Sequence, residues 1–137
     1  NNDILKIESK NRNKKLNMDG LKVLEFAIKR VPETISNVLK KSKLNLSNID
    51  YYSFHQPNKS ILDHLIKKLQ LNRDKMISTF DFGNTSSPSI PLALSKIFKE
   101  KFISNKKFIF CGFGAGLQWS TVITTLKKTF VHKIYYL

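Results

Sequence analysis

Residues 106–126 read KKFIFCGFGAGLQWSTVITTL, and this stretch decides the fold class. The short apolar run at 108–111 is typical of a fully buried strand. A glycine turn occupies 112–116, where the glycines let the backbone bend sharply and approach a ligand closely. The segment 119–126 is rich in β-branched residues and predicts a returning strand. The stretch therefore predicts two strands joined by a tight turn.

Helical periodicity is present on the N-terminal side of this pair of strands. Apolar residues recur every three or four positions from 21 to 39, which predicts an amphipathic helix with one buried stripe. Asp19 is the candidate N-cap of this helix, and Pro32 predicts a kink or a local break inside it. The other predicted elements are a strand at 49–54 and helices at 61–69 and 90–98. Because strands and helices alternate, the sequence predicts the α/β class.

The charge balance raises the question of nucleic-acid binding. The chain has 137 residues, with 24 Lys and Arg against 10 Asp and Glu, a net charge of +14 and a pI near 10.0. Only Arg12, Arg30 and Arg73 are arginines, and arginine is the residue suited to bidentate recognition of phosphates and bases. The lysines are spread along the chain, which favours solvated polar faces over a nucleic-acid site. A basic surface could still dock an acidic partner.

Several classes of protein are excluded by composition. A hydrophobic content of 41% is too high for a disordered chain. A single cysteine supplies no internal disulfide framework and no cysteine-based zinc site, and no His, Cys, Asp or Glu pair has metal-ligand spacing. No apolar run reaches the ~18–20 residues that a membrane span needs. The polar start predicts no signal peptide, and the absence of an initiator Met suggests a piece of a longer protein.

Three loops at the ends of predicted elements contain polar or glycine residues of the kinds found in catalytic and ligand-binding sites. They surround His55, Asn84 and Gly114, and in an open α/β sheet such loops can converge on one site. Each has a structural alternative: His55 could cap a strand end, and Asn84 could serve a turn or helix cap instead of acting as a fixed donor. The glycine turn does not match a dinucleotide-binding fingerprint, because a strand follows it where a helix would be needed.

The remaining candidate residues have weaker claims to a functional role. His64 lies inside a predicted helix among polar neighbours, and His132 lies near the end of the chain. Cys111 ends an apolar strand, so a buried structural thiol is favoured over a nucleophile.

Four motifs follow one another in an order that resembles a known family: MDG at 18–20, HQPN at 55–58, GNTS at 83–86, and GFGAG at 112–116 followed by Trp119. Between the last two lies SIPLAL at 89–94. Together they resemble the C-terminal half of a β-ketoacyl-acyl carrier protein synthase III. The resemblance implies an α/β fold, the C-terminal half of the thiolase-like fold, with helices packed on a mixed sheet. The implied division is a polar basic lead-in at 1–15, the thiolase-like domain at 16–126 and a basic, aromatic tail at 127–137.

The resemblance also implies a reaction. In this family a Cys of the N-terminal half takes an acyl group, and a His and an Asn act on malonyl-acyl carrier protein in a decarboxylative Claisen condensation. By motif, His55 and Asn84 are these two residues and stabilise the enolate as neutral donors. The glycine turn, through Gly114, Ala115 and Gly116, implies a backbone N–H for the second oxyanion. The Cys matches nothing in this chain, so we expect the chain alone to be inactive.

The substrates implied are phosphopantetheine thioesters of coenzyme A or acyl carrier protein, with no cofactor and no metal. The implied substrate-binding positions are Gly20, Leu24, Pro57, Asn58, Ile61 and Phe113. Ser60 stands where many members have an Arg, so Lys59 is the candidate for docking an acidic acyl carrier protein. The implied partners are that carrier protein, the chain's own N-terminal half and a second copy in a homodimer. We expect a cytoplasmic protein that binds no nucleic acid.

Two alternatives remain open at this point. One is a thiolase-fold acyltransferase of a specialised pathway. Two departures from the family would suit it, Ser60 in place of the Arg and Pro57 in place of the usual Ala. The other is a non-catalytic basic binding fragment.

Overall fold

A computed structural model describes residues 5–10 and 13–136 of the chain, with side chains for 18–136. The elements in chain order are β1 (Leu5–Lys10), β2 (Asn13–Met18), α1 (Gly20–Ser42), β3 (Tyr51–Phe54), α2 (Lys59–Leu69), α3 (Ser89–Phe98), β4 (Lys101–Ile103), β5 (Lys106–Gly114), β6 (Gln118–Leu126) and β7 (Thr129–Val131). None of the helices in these ranges is long and apolar enough to cross a membrane.

A three-stranded mixed sheet carries the site. Its order is β3-β5-β6, with β3 parallel to β5 and β5 antiparallel to β6. The hairpin predicted from residues 106–126 is confirmed, and Gly114 pairs with Gln118 at its closed end. The parallel pairing of β3 with β5 brings the end of β3 level with Cys111, which is where the hairpin approaches its turn. The sheet thus delivers two chain segments to one edge, as an α/β fold requires.

Helix α1 begins where the sequence predicts. The Asp19 side chain accepts a hydrogen bond from the Lys22 N–H at 3.1 Å, which caps the first turn. The helix continues through Pro32 without a break, although this proline has no N–H to give to the carbonyl one turn earlier. Its buried stripe consists of Ala27, Val31 and Ile35. Burial of this stripe keeps the helix continuous against the local cost of the proline.

Helix α2 lies against α1 and closes the main core. Asn58 is its N-cap and accepts a hydrogen bond from the Ile61 N–H at 2.8 Å. Leu65 of this helix is fully buried, as are Phe54 on β3 and Ile109 on β5. Helices α1 and α2 therefore form the main core with the sheet, while α3 packs with Phe108 of β5 in a second, smaller core.

Three strands, β2, β4 and β7, were not predicted from the sequence. β4 and β7 form an antiparallel pair, in which Phe102 lies opposite Phe130. The segment 127–137 therefore contributes a strand to the fold, although its sequence suggested only an appended tail. β4 and β7 have three residues each, which is too short for a periodic pattern to indicate a strand. Near the N-terminus, β1 and β2 pair as an antiparallel hairpin, where the sequence had left an edge strand or a tail open.

Candidate active site

The three loops singled out in the sequence line one open cavity of about 780 Å³. His55 reaches it from the end of β3, and Asn84 from the loop that precedes α3. Gly114 and Ala115 reach it from the β5–β6 turn. The expectation that these loops converge is confirmed, since His55 and Asn84 both line this cavity.

His55 is held from several directions. Its backbone N–H donates to the carbonyl of Cys111 at 2.8 Å, which extends the β3–β5 ladder by one residue. Its ring Nδ1 lies 2.9 Å from the hydroxyl of Ser89, the first residue of α3. The ring also meets Phe113 edge to face, with 5.2 Å between the ring centroids. The imidazole thus has a defined position at the mouth of the cavity.

Burial is the main influence on the charge of this histidine. It lowers the pKa of His55 below the usual 6.5, because a charged ring is poorly solvated there, and a backbone hydrogen bond with Ser86 opposes this effect. The lowered pKa keeps the imidazole neutral at neutral pH. A neutral imidazole presents one N–H donor, which is the form suited to stabilising a developing oxyanion.

The side-chain amide of Asn84 has a fixed orientation. Its Oδ1 accepts a hydrogen bond from the Ser86 N–H at 2.9 Å. Because a backbone N–H can only donate, the atom facing it must be the oxygen, which settles the assignment of the two amide ends. Gly83 allows the turn that precedes this contact, since its φ of +64° is costly for other residues. This contact uses the amide oxygen of Asn84, a residue that lines the cavity, and leaves its NH₂ to donate elsewhere.

The glycine turn offers backbone rather than side chains to the cavity. A Cβ built at Gly114 would find no atom within 4 Å, so the space beside this backbone is open to a ligand. At Gly116 the φ is +133°, and a Cβ there would come within 2.6 Å of Gln118 Cγ. Gly116 is therefore required by the turn itself and does not line the cavity, whereas Ala115 does.

The other predicted substrate-binding residues, except Phe113, lie outside the cavity lining. Ile61 is a buried core residue, and Leu24 packs against that core. Asn58 caps α2, and Pro57 precedes it, half-buried. Ile61, Leu24 and Asn58 thus have structural roles in this chain, and a role in binding stays a prediction for these three and for Pro57.

Two exposed positions complete the set of predicted binding residues. Gly20 is exposed at the start of α1, and Lys59 is exposed at the first position of α2. Met18, which was not predicted, does line the cavity beside the start of α1.

Two buried polar residues behind His55 were missed by the sequence analysis. Ser89 is 4% exposed and Gln56 is 1% exposed. Gln56 Nε2 donates to the Ser89 carbonyl at 3.3 Å, and its Oε1 accepts from the Thr79 N–H at 2.7 Å. The available signal was their place inside the HQPN and SIPLAL motifs, but nothing in the pattern said that the two side chains meet.

Cys111 is a structural residue, as the sequence favoured. It is fully buried, and burial raises its pKa to about 11, although a hydrogen bond from the Thr121 hydroxyl to its Sγ at 3.2 Å opposes the rise. A thiol with this pKa is almost entirely protonated at neutral pH and is a poor nucleophile. Within the described ranges, no three His, Cys, Asp or Glu side chains gather as a metal site would require.

The fold and the cavity together define a class of protein. A mixed sheet whose loops bring a neutral His, an Asn amide and a glycine-turn backbone to one open cavity is the arrangement expected of the C-terminal half of a thiolase-like condensing enzyme.

Comparison with known proteins identifies the family within that class. Residues 39–126 match the family described as 3-Oxoacyl-[acyl-carrier-protein (ACP)] synthase III C terminal, and the chain belongs to this family. It is similar to the beta-ketoacyl-[acyl-carrier-protein] synthase III of Lactococcus lactis subsp. cremoris strain MG1363, at 43% identity over 81% of this chain and 35% of the relative. The protein of the same name from Streptococcus gordonii is 39% identical over 82% of this chain and 36% of the relative. The chain therefore spans about a third of the length of these curated relatives.

Solved structures show the same likeness. The 3-oxoacyl-(acyl carrier protein) synthase III of Pseudomonas aeruginosa PAO1 superposes with a TM-score of 0.83 at 29% identity, over 93% of this chain and 41% of that one. The priming β-ketosynthase of the R1128 polyketide pathway superposes with a TM-score of 0.79 at 26% identity, over 90% of this chain and 41% of that one. The thiolase-like fold implied by the four motifs is thereby confirmed.

Proposed function

We propose that this chain is the C-terminal catalytic half of a 3-oxoacyl-[acyl-carrier-protein] synthase III, acting in fatty acid biosynthesis. The observation that carries the proposal is the convergence of His55, Asn84 and Ala115 on one open cavity. Membership of the family supports it. The nucleophilic Cys belongs to an N-terminal half, so the reaction needs both halves.

The chemistry begins with loss of carbon dioxide from a malonyl thioester. The bond between the α-carbon and the carboxylate breaks, and its electron pair passes to the thioester as an enolate. His55 and Asn84 each supply a neutral N–H to the enolate oxygen, where the negative charge develops. Neutral donors suit this step, because a cationic group would also bind the malonyl carboxylate and stabilise the ground state.

The second step forms the new carbon–carbon bond. The enolate carbon attacks the acyl carbonyl held on the Cys, and the Cys leaves as a thiolate when the tetrahedral intermediate collapses. The oxyanion of that intermediate takes a backbone N–H from the glycine turn, where Gly114 and Ala115 line the cavity and Gly116 shapes the turn. Ala115 keeps the N–H but adds a methyl group, so the oxyanion must approach from the open side of the turn. Phe113, which packs on His55, borders the acyl group.

The substrates proposed are phosphopantetheine thioesters of acyl carrier protein or coenzyme A. Their arm would pass the starts of α1 and α2, along Gly20, Leu24, Pro57, Asn58 and Ile61. An acidic carrier protein would dock on the basic surface, with the exposed Lys59 at the start of α2 as one contact. A homodimer in the cytoplasm is the proposed working form, without a metal or a resident cofactor.

The test is His55→Ala in the natively expressed protein, with decarboxylation and acyl transfer measured separately. We expect malonyl decarboxylation to be abolished while acyl loading of the Cys persists. His64→Ala is the matched control, because His64 is exposed on α2 and lies outside the cavity lining. Loss of both steps together in His55→Ala would contradict the assigned role.

A specialised acyltransferase is the second candidate. The structural similarity to the priming β-ketosynthase of the R1128 pathway favours it. Turnover with a panel of acyl and malonyl thioesters, each offered on coenzyme A and on carrier protein, separates the two candidates by the donor that gives the highest kcat/KM.

A further inference from the structure

The Ser89 side chain is the hydrogen-bond partner of the His55 ring at Nδ1. Its Oγ lies 2.9 Å from Nδ1, and Ser89 is 4% exposed. A buried hydroxyl proton needs an acceptor. Among the described residues, Nδ1 of His55 is the hydrogen-bond partner found for this hydroxyl.

The direction of this hydrogen bond decides which chemistry His55 can perform. If Ser89 donates to Nδ1, the ring proton sits on Nε2, and the ring offers an N–H donor on its other side. If Nδ1 carries the proton instead, Nε2 becomes a lone pair and the ring can act only as a base. The Ser86 carbonyl also interacts with the ring and accepts the Ser89 N–H at 3.1 Å, but it has no proton to give. The Ser89 hydroxyl does have one, and Nδ1 is the acceptor within its reach at 2.9 Å, so donation from Ser89 to Nδ1 satisfies both groups.

Ser89 is itself braced. Gln56, the residue after His55, donates from Nε2 to the Ser89 carbonyl at 3.3 Å. Its Oε1 accepts the Thr79 N–H at 2.7 Å, which ties the start of α3 to the segment that follows α2. Gln56 is 1% exposed, so these bonds are shielded from water. The bridge fixes the Ser89 backbone beside His55, so the hydroxyl can leave the ring only by rotating about its own χ1.

We propose that Ser89, braced by Gln56, is a positioning residue that donates to His55 Nδ1 and so fixes the imidazole as an Nε2–H donor. The proposal rests on the proposed function, because it explains how that histidine is kept in the form that stabilises an enolate. Ser89 does not touch the substrate in this proposal and acts only through His55.

The first test reads the tautomer directly, without activity. Nitrogen-15 NMR of histidine-labelled native protein at neutral pH is expected to show a pyridine-type Nδ1 and a pyrrole-type Nε2 for His55. In Ser89→Ala the single tautomer is expected to give way to a mixture. A pyrrole-type Nδ1 in the unaltered protein, or an unchanged tautomer in Ser89→Ala, overturns the proposal.

The second test reads the consequence for turnover. Ser89→Ala is expected to lower kcat for malonyl decarboxylation about tenfold, on the scale of one hydrogen bond, with KM unchanged. Ser89→Thr keeps the hydroxyl and is expected to restore kcat. Ser95→Ala is the matched control, since Ser95 is on the same helix and outside the cavity lining. An unchanged kcat in Ser89→Ala, in a protein that His55→Ala inactivates, overturns the proposal.

The two tests separate this proposal from the proposed function. If the tautomer behaves as expected but His55→Ala decarboxylates malonyl thioester normally, the positioning role stands and the enzymatic role fails. If His55→Ala is inactive while the tautomer does not depend on Ser89, the enzymatic role stands and the positioning role fails.

Discussion

The substitution Asn84→Asp distinguishes the structural role of the Asn84 amide oxygen from the catalytic role proposed for its NH₂. Asn84 Oδ1 holds the Ser86 N–H at 2.9 Å, and its NH₂ is the donor proposed for the enolate. Aspartate keeps an oxygen for Ser86 and has nearly the same size. It replaces the NH₂ with a second oxygen that cannot donate and that carries negative charge at neutral pH. The substitution thus removes the proposed catalytic donor while leaving the turn intact.

The expected size of the effect follows from this geometry. Removing one oxyanion-hole donor costs about 10²–10³ in kcat, or about 2.7–4 kcal/mol of transition-state stabilisation. The aspartate charge would act in the same direction, because it faces a developing negative charge. The hydrogen bond to Ser86 contributes about 1 kcal/mol and is retained, so the free energy of unfolding should change little. Asn84→Ala loses both bonds and should lower activity and local stability together.

The assay is release of carbon dioxide from a malonyl thioester by the natively expressed protein, with unfolding measured by denaturant titration. Asn72→Asp is the matched control: Asn72 also accepts a backbone N–H, from Asp74 at 2.9 Å, but it is exposed and outside the cavity. Asn72→Asp should keep full activity. Decarboxylation at the unaltered rate in Asn84→Asp would refute the reasoning, since the NH₂ would then have no part in the reaction.

Two further predictions concern groups whose pKa the fold shifts. Because the pKa of His55 is lower in the folded chain than its unfolded value of 6.5, the unfolded state binds more protons just below that pH. The contribution of His55 to stability is therefore complete above pH 6.5 and is lost as the pH falls toward the folded pKa; denaturant titrations should show this loss, and His55→Ala should lack it. Cys111, with its pKa raised to about 11 by burial, should react with a thiol reagent at mildly alkaline pH only as fast as the chain unfolds, and rapid labelling of the folded chain would contradict its burial.

The sequence predicted those elements whose pattern is long or punctuated. The helix that begins after Asp19 was located because a candidate capping residue precedes a periodic apolar stripe, and this cap is present in the structure. The β5–β6 hairpin was located because glycines interrupt two apolar runs. The pairing of β4 with β7 was missed, because three-residue strands carry no periodic signal.

Pro32 shows why a local rule can be overridden. Its missing N–H weakens α1 by removing one helical hydrogen bond, and the sequence predicted a kink or a break at that point. Its neighbour Val31 is fully buried in the main core, as is Ile35 one turn later. A break would expose at least one of these side chains, at a cost of about 1.5–3 kcal/mol each. Packing on the sheet thus favours a continuous helix, and this term is invisible in a local pattern.

The candidate site also contains some residues that the sequence predicted and others that only the structure revealed. His55, Asn84 and the glycine turn were found because each occupies a motif, and a motif records what the backbone must do locally. The contact of Ser89 with His55 spans 34 positions in the sequence, and the Gln56 bridges span 33 and 23. No one-dimensional pattern specifies which buried polar groups meet over such separations, because the sheet and α3 first have to bring them together. The residues proposed to touch substrate were therefore predictable from sequence, whereas the residue proposed to set the tautomer of the histidine required the folded chain.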